Sequence, residues 1–235
     1  MFGKRHYGFG IVSDIGDRRA VNQDSVLVKS LELGKKRYGL AAVADGMGGH
    51  LRGEVASKAV PDRLSRWWDD EFIRRVRYNT RMDDALAQAE EALTGVNTEL
   101  FNKGKALGGL IGTTLSMLIC GGGEYFILHV GDSRVYRVHG KRLSLLTEDH
   151  ISGRYVTRAV GVAESPRFFR ARGRFKPGRM FMLCSDGLYK HLSQADMIKC
   201  LSDRSHRNLQ EKAGALRAKI PKGSASDNVS VILYS

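Results

Sequence analysis

The chain has 235 residues, 42% hydrophobic and 27% charged, the proportions of a globular protein with room for one sizeable core. Its three cysteines, Cys120, Cys184 and Cys200, form an odd set with no Cys-x-x-Cys pair, which argues against a disulfide framework or a cysteine zinc site and for reduced thiols in a cytoplasm. No run of about 18 apolar residues occurs, so no membrane-spanning helix is expected, and the first residues lack the apolar stretch of a secretory leader.

Strands are predicted over 9–16 ("FGIVSDIG") and 25–45, the second a hairpin turning near Gly34 and Lys35. A helix is predicted over 50–69, where Val55, Ala59, Leu64 and Trp67 recur at helical spacing, with a kink at Pro61. A second helix, over 83–101, has Asp83 as its N-cap and an apolar stripe of Leu86, Ala89, Leu93, Val96 and Leu100. Strands then return at 112–120, 124–133 and 134–147, with a hairpin tip at His139 and Gly140, and again at 167–175 and 180–187. Helices follow over 193–201, capped by Ser193, and over 205–219, and a strand over 228–235 closes the order. No repeat or linker interrupts the series, so one domain over 1–235 is expected. Strands and helices in separate runs suggest an α+β layered sandwich built on antiparallel sheets.

Four aspartates stand at predicted strand ends. Asp45 follows "LAAVA", Asp132 follows "FILHVG", Asp186 follows "MFMLCS", and Asp227 precedes the last strand; a fifth, Asp24, lies in "RRAVNQDS". Each Asp-Gly pair, taken alone, reads as a turn. Together, carboxylates held on one rim at ~4–6 Å would repel unless a cation neutralised them, and hard oxygen donors suit Mg²⁺ or Mn²⁺. Gly46, directly after Asp45, would leave a backbone carbonyl free to reach the same ion.

Other chemistries find no support. A cysteine-nucleophile phosphatase needs Cys-x5-Arg, but the positions six beyond Cys184, Cys120 and Cys200 hold Lys190, Phe126 and His206. Neither a G-x-x-x-x-G-K-[ST] loop nor a G-x-G-x-x-G fingerprint occurs. The net charge of +13 is scattered, densest at 66–81 and 167–179, with no nucleic-acid-binding signature beside it. It fits attraction of acidic, phosphorylated partners better than nucleic acid.

The ordered series "RRAVNQDS", "VADGMGGH", "GTTLSMLI", "HVGDSRVYRV", "LTEDH", "TRAVG", "LCSDGLYKHLS" and "SDNVSVIL" resembles the bacterial branch of the metal-dependent PPM-type (type 2C) Ser/Thr protein phosphatases, from about Gly10 to Leu233. The resemblance implies a four-layer α/β/β/α sandwich, with a central pair of antiparallel sheets flanked by helix pairs and two Mn²⁺ or Mg²⁺ ions at one end. It implies that Asp45 bridges the metals, that Gly46 lends its carbonyl to one, and that Asp186 and Asp227 complete the other. Asp24 would act through bound water, and Asp132 would join Asp186 at a weaker third metal site. Arg19 would clasp the substrate phosphate, a role its guanidinium fork suits. A metal-bridging hydroxide would attack phosphoserine or phosphothreonine in a protein, reversing a cognate Ser/Thr kinase.

The chain departs from the family pattern at two places. Met47 stands where many animal members carry a histidine proposed as the general acid, and Met cannot donate a proton; His50 reads as a helix-start residue. Only six residues separate "LTEDH" from "TRAVG", where relatives carry a longer flap, which raises the alternative of a phosphatase-like binding or scaffold protein with weak turnover. Among the remaining residues, Asn228 is expected to orient Asp227, Arg134 to pair with an acidic neighbour, and Trp67 and Trp68 to lie in the core or on a partner surface.

Overall fold

The computed structural model describes residues 8–47, 53–78, 81–176 and 178–235. It begins with β1 (Phe9–Asp14) and the hairpin β2 (Asp24–Leu33) and β3 (Lys36–Met47), which turns at Gly34, a residue with φ of 59° that glycine adopts freely. Helix α1 (Gly53–Trp67), a π-helical turn Trp68–Phe72, α2 (Ile73–Arg77) and α3 (Met82–Ala106) follow. Next come β4 (Gly112–Thr113), β5 (Leu115–Gly121), β6 (Glu124–Val130), β7 (Arg134–His139), β8 (Arg142–Leu145), and a short hairpin of β9 (Ile151–Ser152) and β10 (Tyr155–Val156). The last run is β11 (Phe169–Arg174), β12 (Met180–Cys184), α4 (Asp186–Tyr189), α5 (Gln194–Ser202), α6 (Leu209–Lys219) and β13 (Val229–Tyr234).

Two antiparallel sheets result, ordered β1-β13-β12-β7-β8 and β11-β6-β5-β3-β2. Alternation along the strands splits each between two cores. In β3, Leu40 and Ala42 face α1 and α3, while Ala41 and Val43 face the other sheet. In β13, Val231 and Leu233 pack under α4, α5 and α6, while Ile232 and Tyr234 fill the space between the sheets. Three apolar layers thus hold four layers of structure together, the α/β/β/α sandwich anticipated from the motif order. At the rim away from Asp14, Gly8 and Ser235 exchange backbone hydrogen bonds of 3.0 and 3.2 Å.

Several local expectations are corrected. Helix α1 continues through Pro61, whose ring is buried beside Val60 and Leu64; burial of this face outweighs the one backbone bond a proline removes. The irregularity falls instead at Trp68–Phe72, where the π-turn brings Trp67, Trp68 and Phe72 into one aromatic cluster with centroids 5.3 and 4.3 Å apart, so both tryptophans are core. The buried stripe of α1 runs through Ala56 and Val60, and Val55 is exposed. Helix α3 is preceded by an extended Arg81 without a side-chain cap, and Asp83 sits in its first turn, where a carboxylate suits the helix dipole. The last helix starts at Leu209, capped by the Asn208 side chain, which accepts from Glu211 N at 2.9 Å. The β7–β8 tip is Gly140–Lys141, because His139 still pairs with Arg142. Ser193 caps α5 as expected. The predicted start of the first helix and His50 fall in residues 48–52, outside the described residues.

One buried polar residue ties the far helix layer to the functional rim. Asn97 on α3 is fully buried; its Nδ2 donates to Ala163 O at 2.9 Å and Glu164 O at 3.1 Å, and its Oδ1 accepts from Gly161 N at 2.7 Å. The loop so held bridges β4, where Thr113 and Val160 exchange backbone bonds of 3.0 and 2.9 Å. Asn97→Ala strands a buried N–H and two carbonyls, and is expected to lower unfolding free energy by about 2–3 kcal/mol, read as a lower urea midpoint with an unchanged slope.

Candidate active site

The carboxylates meet because strand ends of both sheets meet. Asp24 and Asp45 are direct partners across β2 and β3. Asp132 lies in the turn between β6 and β7, and Asp227 lies two residues before β13. Asp186 does not end a strand as expected; β12 stops at Cys184 and Asp186 opens α4. A cleft of about 380 Å³ lies between the sheets at this rim, lined by Arg19, Asp45, Gly46, Asp132, Asp186 and Asp227, together with Gln23, Met47, Thr114, Lys190 and Asn228, and bordered by Arg154 and Val156 of the β9–β10 hairpin. Asp24 lies beneath the wall, buried. Every site residue singled out in the sequence is therefore on or directly under one cleft, and the short segment 151–156 is a complete, if minimal, hairpin at its edge.

Hydroxyl-bearing residues on the strand ends fix the carboxylates. Asp45 N donates to Thr114 Oγ1 at 3.0 Å, and Asp45 O accepts from Thr114 N at 2.8 Å and Thr113 Oγ1 at 3.0 Å. Thr114 Oγ1 is 2.8 Å from Ser133 Oγ, next to Asp132. Asp24 Oδ2 accepts from Ser185 Oγ at 2.7 Å, and Ser230 N donates to that same Oγ at 3.0 Å. Two stacked histidines, His129 and His150, hold the Asp132 turn from behind: Gly131 N donates to His150 Nδ1 at 3.1 Å and His150 N to Gly131 O at 2.8 Å. Gly46 is required by packing, since a Cβ there would lie 2.1 Å from Gly53 O at the start of α1. The small residue lets the helix press against the end of β3, a role distinct from freeing a carbonyl.

Arg19 stands half-exposed at the cleft mouth, its Nη2 2.8 Å from Asp227 Oδ2. Its loop is pinned by Asn228, whose Nδ2 donates to Ile15 O and Val21 O at 2.8 and 3.2 Å and whose Oδ1 accepts from Gln23 N at 2.8 Å. The side chain of Asn228 thus positions the arginine loop; Asp227 is held by the Asn228 backbone N–H at 2.9 Å. Arg134 pairs with Asp149 through two nitrogens, at 2.7–3.2 Å, and lies 3.6 Å over the Tyr189 ring.

Burial dominates the electrostatics of the carboxylates, and crowding of like charges adds to it. Burial, with the charges of Asp186 and Asp227 added, raises Asp24 to about 7 against the help of Ser185 and Ser230. Burial and the charges of Asp24, Asp186, Asp132 and Asp227 raise Asp45 well above the ordinary carboxylate range. Burial and Asp186 bring Asp132 to about 6. Asp24 Oδ1 and Asp186 Oδ1 are buried without a hydrogen-bond partner. Lys190 is the residue sequence reasoning passed over: its ammonium ion-pairs with Asp186 Oδ2. Burial alone would lower its pKa, but the Asp186 hydrogen bond and the charges of Asp186, Asp132 and Asp45 hold it above its ordinary value. Its signal was the i, i+4 spacing from Asp186, visible only once a helix is known to start there.

Residues 16–222 match the protein phosphatase 2C family. The chain is 31% identical over 229 residues to the serine/threonine phosphatase stp of Listeria welshimeri, covering 85% of each chain. Among solved structures it superposes on PppA, described as a key regulatory component of T6SS in Pseudomonas aeruginosa, with a TM-score of 0.82 at 29% identity over 98% of this chain and 97% of that one. It also superposes on the catalytic domain of the serine/threonine protein phosphatase PstP in complex with 2 manganese ions, with a TM-score of 0.80 at 28% identity over 97% of each chain. The motif order, the four layers and the convergent carboxylates all agree with these matches: the chain belongs to the protein phosphatase 2C family.

Proposed function

We infer that this chain is a metal-dependent Ser/Thr protein phosphatase that hydrolyses phosphoserine and phosphothreonine in proteins. The observation that carries the reading is the convergence of Asp24, Asp45, Asp132, Asp186 and Asp227 on one rim, with two oxygens, Asp24 Oδ1 and Asp186 Oδ1, buried and unpartnered. Among the described residues no three carboxylates, histidines or cysteines close on a single point. The donors are spread around the cleft instead, which suits Mg²⁺ or Mn²⁺, ions that keep several waters and take few carboxylates each. Asp45 and the Gly46 carbonyl would hold one ion, Asp45, Asp186 and Asp227 the other, and Asp24 would receive hydrogen bonds from their waters. The bound ions supply a hydroxide at neutral pH by lowering the pKa of water and stabilise charge on the phosphoryl oxygens.

The chain's own residues do the rest. Arg19, held at the mouth by Asp227 and by the Asn228-pinned loop, offers a guanidinium fork to the substrate phosphate. Met47 lines the cleft and donates no proton, so the leaving hydroxyl is protonated from water or from another group in the cleft. Arg154 and Val156 border an open site that admits a phosphorylated segment of a folded protein. The basic surface supports attraction of such segments, and a partner Ser/Thr kinase is the natural source of the substrate. The three thiols support a reducing, cytoplasmic setting, and the 235 residues are read as one phosphatase domain. The complete carboxylate set weighs against a scaffold that has lost turnover.

Phosphothreonine-peptide and p-nitrophenyl phosphate hydrolysis test the reading: turnover should need Mn²⁺ or Mg²⁺, vanish in EDTA, and fall about a hundredfold or more in Asp186→Asn. A folded wild type with no metal-dependent turnover would refute it. Arg19→Ala should raise KM for the peptide about tenfold to a hundredfold, with a smaller change in kcat. Because Asp24 and Asp132 are raised in the folded chain, they bind more protons folded than unfolded between about pH 4 and 7. Stability in EDTA should therefore fall as pH rises across that window and stay low above it. Saturating Mn²⁺ should abolish the fall, measured as melting temperature against pH.

A further inference from the structure

One of the cationic side chains lining the cleft lies directly against its carboxylates. Lys190 follows α4, and its backbone N–H donates to Asp186 O at 2.9 Å, which fixes its side chain over the Asp186 carboxylate. The two oxygens of Asp186 are then divided: Oδ2 takes the Lys190 ammonium, while Oδ1 is buried without a hydrogen-bond partner. The same ammonium lies 3.9 Å from Asp132 Oδ2. The turn that carries it is clamped, since Tyr189 Oη donates to Asp132 O at 3.0 Å, Arg134 packs over the Tyr189 ring, and Arg134 is anchored by Asp149. Lys190 thus lies against both of the carboxylates at which the family resemblance implies a weaker third metal.

We propose that the Lys190 ammonium is a built-in third cation of this centre, so that the chain takes two divalent ions and no third. The proposal rests on the phosphatase reading for its first two ions. An ammonium offers up to three N–H donors and one positive charge between Asp132 and Asp186, but it carries no exchangeable water and cannot activate one. A divalent ion approaching Asp132 meets a like charge already paired there. Asp132 becomes a partner of the lysine and of the Tyr189 turn, and it is no longer a metal ligand.

Equilibrium dialysis of the full chain against Mn²⁺ up to millimolar concentration, with bound metal counted by atomic emission, tests this. Wild type should saturate at two ions and Asp132→Asn should keep that count. Lys190→Met should gain one ion, and the double variant Asp132→Asn with Lys190→Met should return to two. Lys190→Gln is carried in parallel, so that a variant that fails to fold does not remove the readout, and circular dichroism melts establish which variants are folded. A wild type that binds three ions, or folded Lys190→Met and Lys190→Gln that stop at two, overturns the proposal and leaves the phosphatase reading standing. A wild type that binds no Mn²⁺ overturns both.

Discussion

Five carboxylates forced onto one rim are the arrangement around which this molecule is organised. Nothing in water would hold Asp24, Asp45, Asp132, Asp186 and Asp227 so close. The two sheets do, because each strand's alternation commits one face to the inter-sheet core and the other to a helix layer. The ends of β2, β3, β6, β12 and β13 have no freedom to separate. Burial first, and mutual repulsion with it, raise the proton affinity of Asp24, Asp45 and Asp132, and a bound cation offsets both. Folding and metal affinity are therefore linked: hydrophobic burial in three layers is set against a charge cluster that only cations make comfortable.

The support around the cluster is made of small hydroxyl groups rather than opposite charges. Thr113, Thr114, Ser133, Ser185 and Ser230 are buried and bind backbone, carboxylate or one another's hydroxyl atoms, so they orient the aspartates without neutralising them. Lysine or arginine in those places would have satisfied the carboxylates and removed the attraction for metal. The cations paired with the carboxylates come from outside this ring: Arg19 from a loop pinned by Asn228, and Lys190 from the turn after α4. Each takes one oxygen of an aspartate, Asp227 or Asp186.

Much of this could be read from the residues, and the failures have identifiable causes. Strand ends carrying Asp45, Asp132 and Asp227 were visible because apolar alternation stops abruptly at each. The α1 stripe was shifted because alanines and Pro61 carry little weight in an apolar pattern, although Ala56 and Pro61 are buried. Asp186 was placed on a strand because "MFMLCS" runs apolar up to it; the short helix after it depends on tertiary contacts of Tyr189 and Leu188. For Gly46 the sequence suggests a carbonyl free to reach a metal; the close approach of Gly53, seven residues on, is a second demand for glycine there that no local pattern encodes. Lys190 was invisible for the same reason as the helix that aims it.

The pairing of β1 with β13 has a consequence for how the molecule can be tethered. Gly8 and Ser235 lie side by side at one end of these strands, and Asp14 and Asp227 stand at the other. Six paired residues, ~20 Å at the usual strand rise, separate the two. The backbone at Gly8 and Ser235 therefore lies on the far side of the sandwich from the cleft. A loop joining Ser235 directly to Gly8 needs to span little more than the gap between neighbouring strands, so this pair of residues is a suitable junction for a circular permutant with new ends opened at an exposed hairpin tip such as Gly140.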